Sequence, residues 1–74
     1  MDGMGLLTFK DGSIYKGNFH YGMKNGYGVF SYSDGESYQG IWFEDKKNGK
    51  GIYKWKDGKK IKAIFDKDKI IEFI

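Results

Sequence analysis

Apolar and polar residues alternate along this chain in short runs, and the runs break at Asp-Gly. Leu7 and Phe9 lead up to Asp11-Gly12, and Tyr15, Gly17 and Phe19 leave it at every second position. The phrase returns as Phe30 and Tyr32 before Asp34-Gly35, with Tyr38, Gly40 and Trp42 after it. A third copy has Tyr53 and Trp55 before Asp57-Gly58, then Ile61, Ala63 and Phe65. Alternation of this kind is the period of a half-buried strand, and Asp-Gly between two such runs signals a hairpin. The pattern predicts strands over 5–10, 13–19, 28–33, 36–42, 51–56 and 59–65, giving hairpins at 5–19, 28–42 and 51–65. The segments between them, such as His20 to Tyr27, contain Asn25-Gly26 or Asn48-Gly49 and read as short loops. Strand following strand on short connections predicts an all-β fold: a single-layer, twisted antiparallel meander of about three tandem hairpins, in one domain over 1–74.

The period is 23 residues, set by the three Asp-Gly pairs and kept by Gly3-x-Gly5, Gly26-x-Gly28 and Gly49-x-Gly51. Burial fixes the turn. A two-residue loop at Asp11-Gly12 puts Phe9 and Tyr15 on opposite faces. A three-residue loop, Lys10-Asp11-Gly12, instead pairs Phe9 with Ser13 and Leu7 with Tyr15, with glycine in the left-handed bulge position. One face then collects Leu7, Phe9, Tyr15, Gly17 and Phe19, followed by Phe30, Tyr32, Tyr38, Gly40 and Trp42, and by Tyr53, Trp55, Ile61, Ala63 and Phe65. A slip of one residue would scatter these rings, and burial of one face sets the register. The opposite face carries Thr8, Lys16, Asn18, Ser31, Ser37, Gln39, Lys54, Lys60 and Lys62 with a few aliphatics such as Val29 and Ile52, and is expected to be mostly wet. Gly17, Gly40 and Ala63 sit between large rings on the apolar face and are expected to leave room for a neighbouring ring or a partner's backbone, and Gly17, Gly28, Gly40 and Gly51 are expected to be structural glycines of the repeat.

Composition narrows the picture. A chain of 74 residues with no cysteine has neither disulfides nor thiolate metal sites to support a small core. Aromatic residues reach 19%, so rings must do much of the packing. No apolar run approaches a membrane span, no signal sequence opens the chain, and an intracellular, cytoplasmic setting is expected. Charge is uneven: residues 1–45 hold three lysines against six acids, and residues 46–74 hold ten lysines against four acids. All thirteen basic residues are Lys, which argues against a nucleic-acid reader, where Arg supplies bidentate contacts.

Catalytic chemistry is not expected. His20 is the only histidine, so no histidine triad or histidine metal cluster can form within one chain. Asp11, Asp34 and Asp57 sit at turn tips, where Asp bonds local backbone. Gly26-x-Gly28 lacks the helix start and the Gly-Lys-Ser/Thr of a phosphate loop. No cofactor and no metal is expected.

The run from Tyr15-Lys-Gly17-Asn-Phe19 through Gly22 and Gly26-Tyr-Gly28 to Asp34-Gly35 resembles the MORN (membrane occupation and recognition nexus) repeat. The second copy has Trp42 at the slot where that family favours tryptophan but Asp45 in the slot of Gly22. The third has Ala63, Asp68 and Glu72 where glycines are expected. The register opens halfway through a unit, which fits a segment of a longer scaffold or a minimal natural array. Residues 66–74, alternating acid and Lys before Ile70, Ile71, Phe73 and Ile74, are expected to cap the array as a strand or short helix folded onto the aromatic sheet.

The resemblance implies a non-catalytic stack of hairpins that binds protein partners or holds proteins near membranes. The expected docking surface is the aromatic face, Phe9, Tyr15, Phe19, Phe30, Tyr32, Tyr38, Trp42, Tyr53 and Trp55, taking an apolar helix or extended peptide. Self-association through the same face or the sheet edges is a variant. The competing expectation is binding to anionic phospholipid or phosphoinositide through Lys54, Lys56, Lys59, Lys60 and Lys62, with Lys46 and Lys47 nearby, at the periphery of a membrane or the cytoskeleton.

Overall fold

The computed structural model describes residues 2–74 and places them in one seven-stranded sheet. The strands are β1 (Gly3–Thr8), β2 (Ile14–His20), β3 (Met23–Ser31), β4 (Ser37–Phe43), β5 (Lys46–Lys54), β6 (Lys60–Asp66) and β7 (Lys69–Phe73). They lie side by side in chain order, each antiparallel to the next.

Two turn types alternate. At the Asp-Gly margin, Phe9 N donates to Ser13 O at 2.8 Å and Gly12 N to Phe9 O at 3.1 Å, which closes a three-residue loop. Tyr32 with Glu36 and Trp55 with Lys59 repeat it. Gly12 has φ 95°, a left-handed conformation that a Cβ disfavours, and Gly35 and Gly58 match it. The aspartate completes the loop: Oδ1 of Asp11, Asp34 and Asp57 accepts at 2.9 Å from the N–H of Ser13, Glu36 and Lys59. These bonds from Ser13 hold the Asp11 carboxyl below its ordinary range. Leu7 faces Tyr15 as the loop length requires.

The other margin departs from expectation. The segments read as short loops are the first halves of β3 and β5. They turn back through two-residue hairpins whose central pairs, Tyr21-Gly22 and Glu44-Asp45, both have positive φ; Lys67-Asp68 forms a third. The Asn-Gly pairs that looked like turns sit in wide bulges. Asn25, Gly26 and Tyr27 lie between the pairs Gly17↔Gly28 and Phe19↔Lys24, opposite Asn18 alone, and residues 48–50 stand in the same way opposite Ile41.

The C-terminal segment is a strand, not a helix. It joins β6 edge-on and does not fold over the aromatic face, so Ile71, Phe73 and Ile74 stay exposed. The third two-residue turn explains this: it continues the alternation of margins and leaves β7 in the plane of the sheet.

The register sets Tyr15, Phe30, Tyr38 and Tyr53 opposite one another in sequence across β2 to β5. Tyr15, Phe19, Tyr38, Trp42, Ala63 and Phe65 are buried, and Phe30, Tyr32, Tyr53 and Ile61 pack against them half-buried.

Candidate functional site

The aromatic face is built on a row of small residues. Gly5, Gly17, Gly28, Gly40, Gly51 and Ala63 face one another across β1 to β6. The Tyr15 ring lies over this row, and a Cβ at Gly28 would run into it; Tyr38 covers Gly51 in the same way. Each phenol reaches a carbonyl, Tyr15 Oη donating to Asn18 O at 2.9 Å and Tyr38 Oη to Ile41 O at 3.1 Å. Trp42 Nε1 donates to Gly28 O at 3.2 Å. Edge-to-face packing links Trp42 to both tyrosines, with ring centroids 5.6 Å from Tyr15 and 5.1 Å from Tyr38. Burial pushes both phenols up to about 12, helped by the charges of Asp45 and Asp68 respectively. Tyr53 is raised as well, by burial first and then by its bond to Glu36.

Sequence reasoning missed the roof over these rings. Lys24 lays its stem across them, with Nζ 5.2 Å from the Trp42 ring centroid and 5.7 Å from that of Tyr15. Asp45, from the next two-residue turn, clips it: Asp45 Oδ1 accepts from Lys24 N at 2.8 Å and lies 3.3 Å from Lys24 Nζ, while Asp45 N donates to Lys24 O at 3.0 Å. Lys47 and Asp68 repeat the clip, Lys47 Nζ lying 5.4 Å from the Tyr38 ring centroid and 3.9 Å from Asp68 Oδ1. The lysine side chains are only 14% and 15% exposed. Asp45 and Asp68, which looked like departures in a glycine slot, are therefore inter-unit ties. The available signal was a Lys followed 21 residues later by Asp, twice, one period apart.

The nine aromatic positions divide accordingly. Tyr15 and Tyr38 have no exposed surface, and Phe19 and Trp42 almost none, so these four are core and not a docking surface. Phe9 is exposed, and Phe30, Tyr32, Tyr53 and Trp55 are half-buried. Where the lysine roof ends, Tyr53, Trp55, Ile61, Phe65 and Ile70 border an open hollow of about 440 Å³. Lys54, Lys56, Lys59, Lys60 and Lys62 are all exposed around the third Asp-Gly loop, whereas Lys47 is committed to the roof.

The reverse face is less wet than its polar residues suggested. Met4, Leu6, Tyr27 and Ile41 are exposed there. Two rows of side chains flank the small-residue row, and between them runs an open trough of about 590 Å³ with Gly40 and Gly51 in its lining. His20 is exposed, 3.8 Å from Asp2. Among the described residues no group of His, Asp and Glu could hold a metal, and no helix is long and apolar enough to cross a membrane.

A sheet of this kind, with a 23-residue period, alternating turns and rings laid over glycines, defines a class of tandem β-hairpin repeat proteins. The MORN repeat model matches residues 1–14, 15–37 and 38–60, and the chain belongs to the MORN repeat family, generally a non-enzymatic repeat module that interacts with proteins or membranes. The family's unit boundaries fall before Tyr15 and Tyr38, so its unit is the hairpin across the two-residue turn. No curated protein matches the chain.

Proposed function

We propose that this chain is a non-catalytic protein-interaction and scaffolding module that receives an apolar helix or extended peptide at the open end of its aromatic face. One observation carries the reading: beside the Lys47–Asp68 clip, which lines one side of it, the aromatic face opens into a hollow bordered by Tyr53 and Trp55. Tyr and Trp at the border of a hollow are the residue types that dominate binding hot spots. Trp55→Ala is the informative variant, because Trp55 borders the hollow and does not belong to the buried set. Cross-linking in cells expressing the full chain should lose its partner bands with Trp55→Ala while near-ultraviolet circular dichroism stays native. Undiminished bands in a folded variant sink the reading.

Anionic membrane is the second reading. Its support is that Lys54, Lys56, Lys59, Lys60 and Lys62 surround one hairpin tip without an acidic partner among the described residues. Equal sedimentation with neutral and phosphoinositide vesicles at low salt would remove it. The location proposed with either role is the cytoplasm, at the periphery of a membrane or the cytoskeleton, and both are compatible with service as a segment of a longer scaffold.

A further inference from the structure

The two faces of the sheet handle charge differently. On the aromatic face each roofing lysine has its own aspartate. On the reverse face the register places Lys16, Lys50, Lys54, Lys60 and Lys62, and none of the five has an ion-pair partner among the described residues. The strand acids on that face are Asp66 and Glu72, at the β6–β7 margin. Apolar groups lie between these lysines: Tyr27 pairs with Ile41, Lys50 with Ile64, and Ile52 with Lys62. Tyr27, Gln39, Ile41, Lys50, Ile52 and Lys62 line the trough.

We propose that this trough is a docking site for an acidic amphipathic helix of a partner protein, its apolar stripe seated over Tyr27, Ile41 and Ile52 and its flanking carboxylates met by Lys16, Lys50 and Lys62. Charge complementarity selects the sign of the partner, since a surplus of unpaired lysines around apolar groups favours carboxylates and repels basic helices. Shape selects the helix. A rod about 10 Å across can enter a trough, whereas a bilayer presents a broad, nearly flat surface. An added strand is excluded on this face, because the interior strands already pair on both sides and strand addition needs an open edge. The trough is lined from β3 to β6 and Lys16 on β2 extends the site by one strand, so four spacings of about 4.8 Å give about 19 Å, the length of roughly 13 helical residues. This surface is separate from the aromatic hollow, so a single layer could hold two partners at once.

The test uses the full chain and a labelled synthetic peptide of about 18 residues, with Leu at every third or fourth position and Glu on both flanks. Its control carries Lys in place of Glu. Fluorescence anisotropy should show saturable binding of the Glu peptide, weakened at high salt, and at least about tenfold weaker binding to the Lys peptide. Lys50→Glu with Lys62→Glu should weaken the Glu peptide by a similar factor with the circular dichroism unchanged; both sites are exposed, and Lys16→Glu with Lys50→Glu is the alternative pair should the first fail to fold. Trp55→Ala should leave binding intact, which separates this site from the aromatic one. Equal binding of both peptides, or no effect of the charge reversals, overturns the proposal. So does saturable binding to phosphatidylserine vesicles with no peptide binding, or masking of the trough by a second copy of the chain.

Discussion

At the scale of single residues, the positions that matter most are those where a ring and a backbone share space. Gly28 and Gly51 have no room for a methyl group under Tyr15 and Tyr38. Gly28→Ala should destabilise the fold by about 1–3 kcal/mol, the usual cost of overpacking, read as a lower urea midpoint at unchanged slope. Trp42→Ala should cost about 3–5 kcal/mol, enough to unfold many small domains. The same burial makes alkali a probe. Tyr15 and Tyr38 are raised from 10.0 to about 12, so folding favours their neutral phenols. Their contribution is present in full below pH 10.0 and is lost as pH rises through about 12. Titration followed at 295 nm should show a late-ionising fraction of phenols, with unfolding accompanying that fraction. A single unperturbed titration of all the tyrosines would contradict the packing described.

At the scale of the strand and turn, the sequence was readable where one pattern acted alone. Alternation around Asp-Gly located the three-residue loops and their register, because burial of Tyr15 and Tyr38 on one side leaves a single consistent pairing. The first halves of β3 and β5 were not readable, because Asn25-Gly26 carries a turn signal that the fold spends on a bulge. The lysine roof was hidden for a different reason: Lys24 and Lys47 look like solvated surface, and only tertiary placement sets them on rings. Of the nine rings expected from sequence to face a partner, Tyr15, Phe19, Tyr38 and Trp42 are buried, and the accessible ones stand at the margin. Asp45 tests the roof. Asp45→Ala removes the acceptor for Lys24 N and keeps a left-handed φ of 70°, so it should cost about 1–2 kcal/mol. Asp45→Gly loses the same acceptor but relieves the backbone, and should cost less than Asp45→Ala in the same denaturation series. Equal losses would mean that backbone strain at this turn is negligible.

At the scale of the whole molecule, a sheet in which every strand touches only its sequence neighbours has stability that adds along one dimension. β1 and β7 each have one neighbour, and none of their side chains is buried. Native-state hydrogen exchange should therefore show least protection in β1 and β7 and most in β4, whose Tyr38, Gly40 and Trp42 are buried and whose both edges are paired. Uniform protection from β1 to β7 would instead indicate one all-or-none unit.

The clip between Lys24 and Asp45 ties each unit only to the one that follows it, and Lys47 with Asp68 is the same knot moved along by one period. Excising residues 24–46 would bring Lys47 into the vacated place with its own aspartate still attached, so no broken tie would be left behind. Such a design lets evolution lengthen or shorten the sheet in whole steps without redesigning any joint.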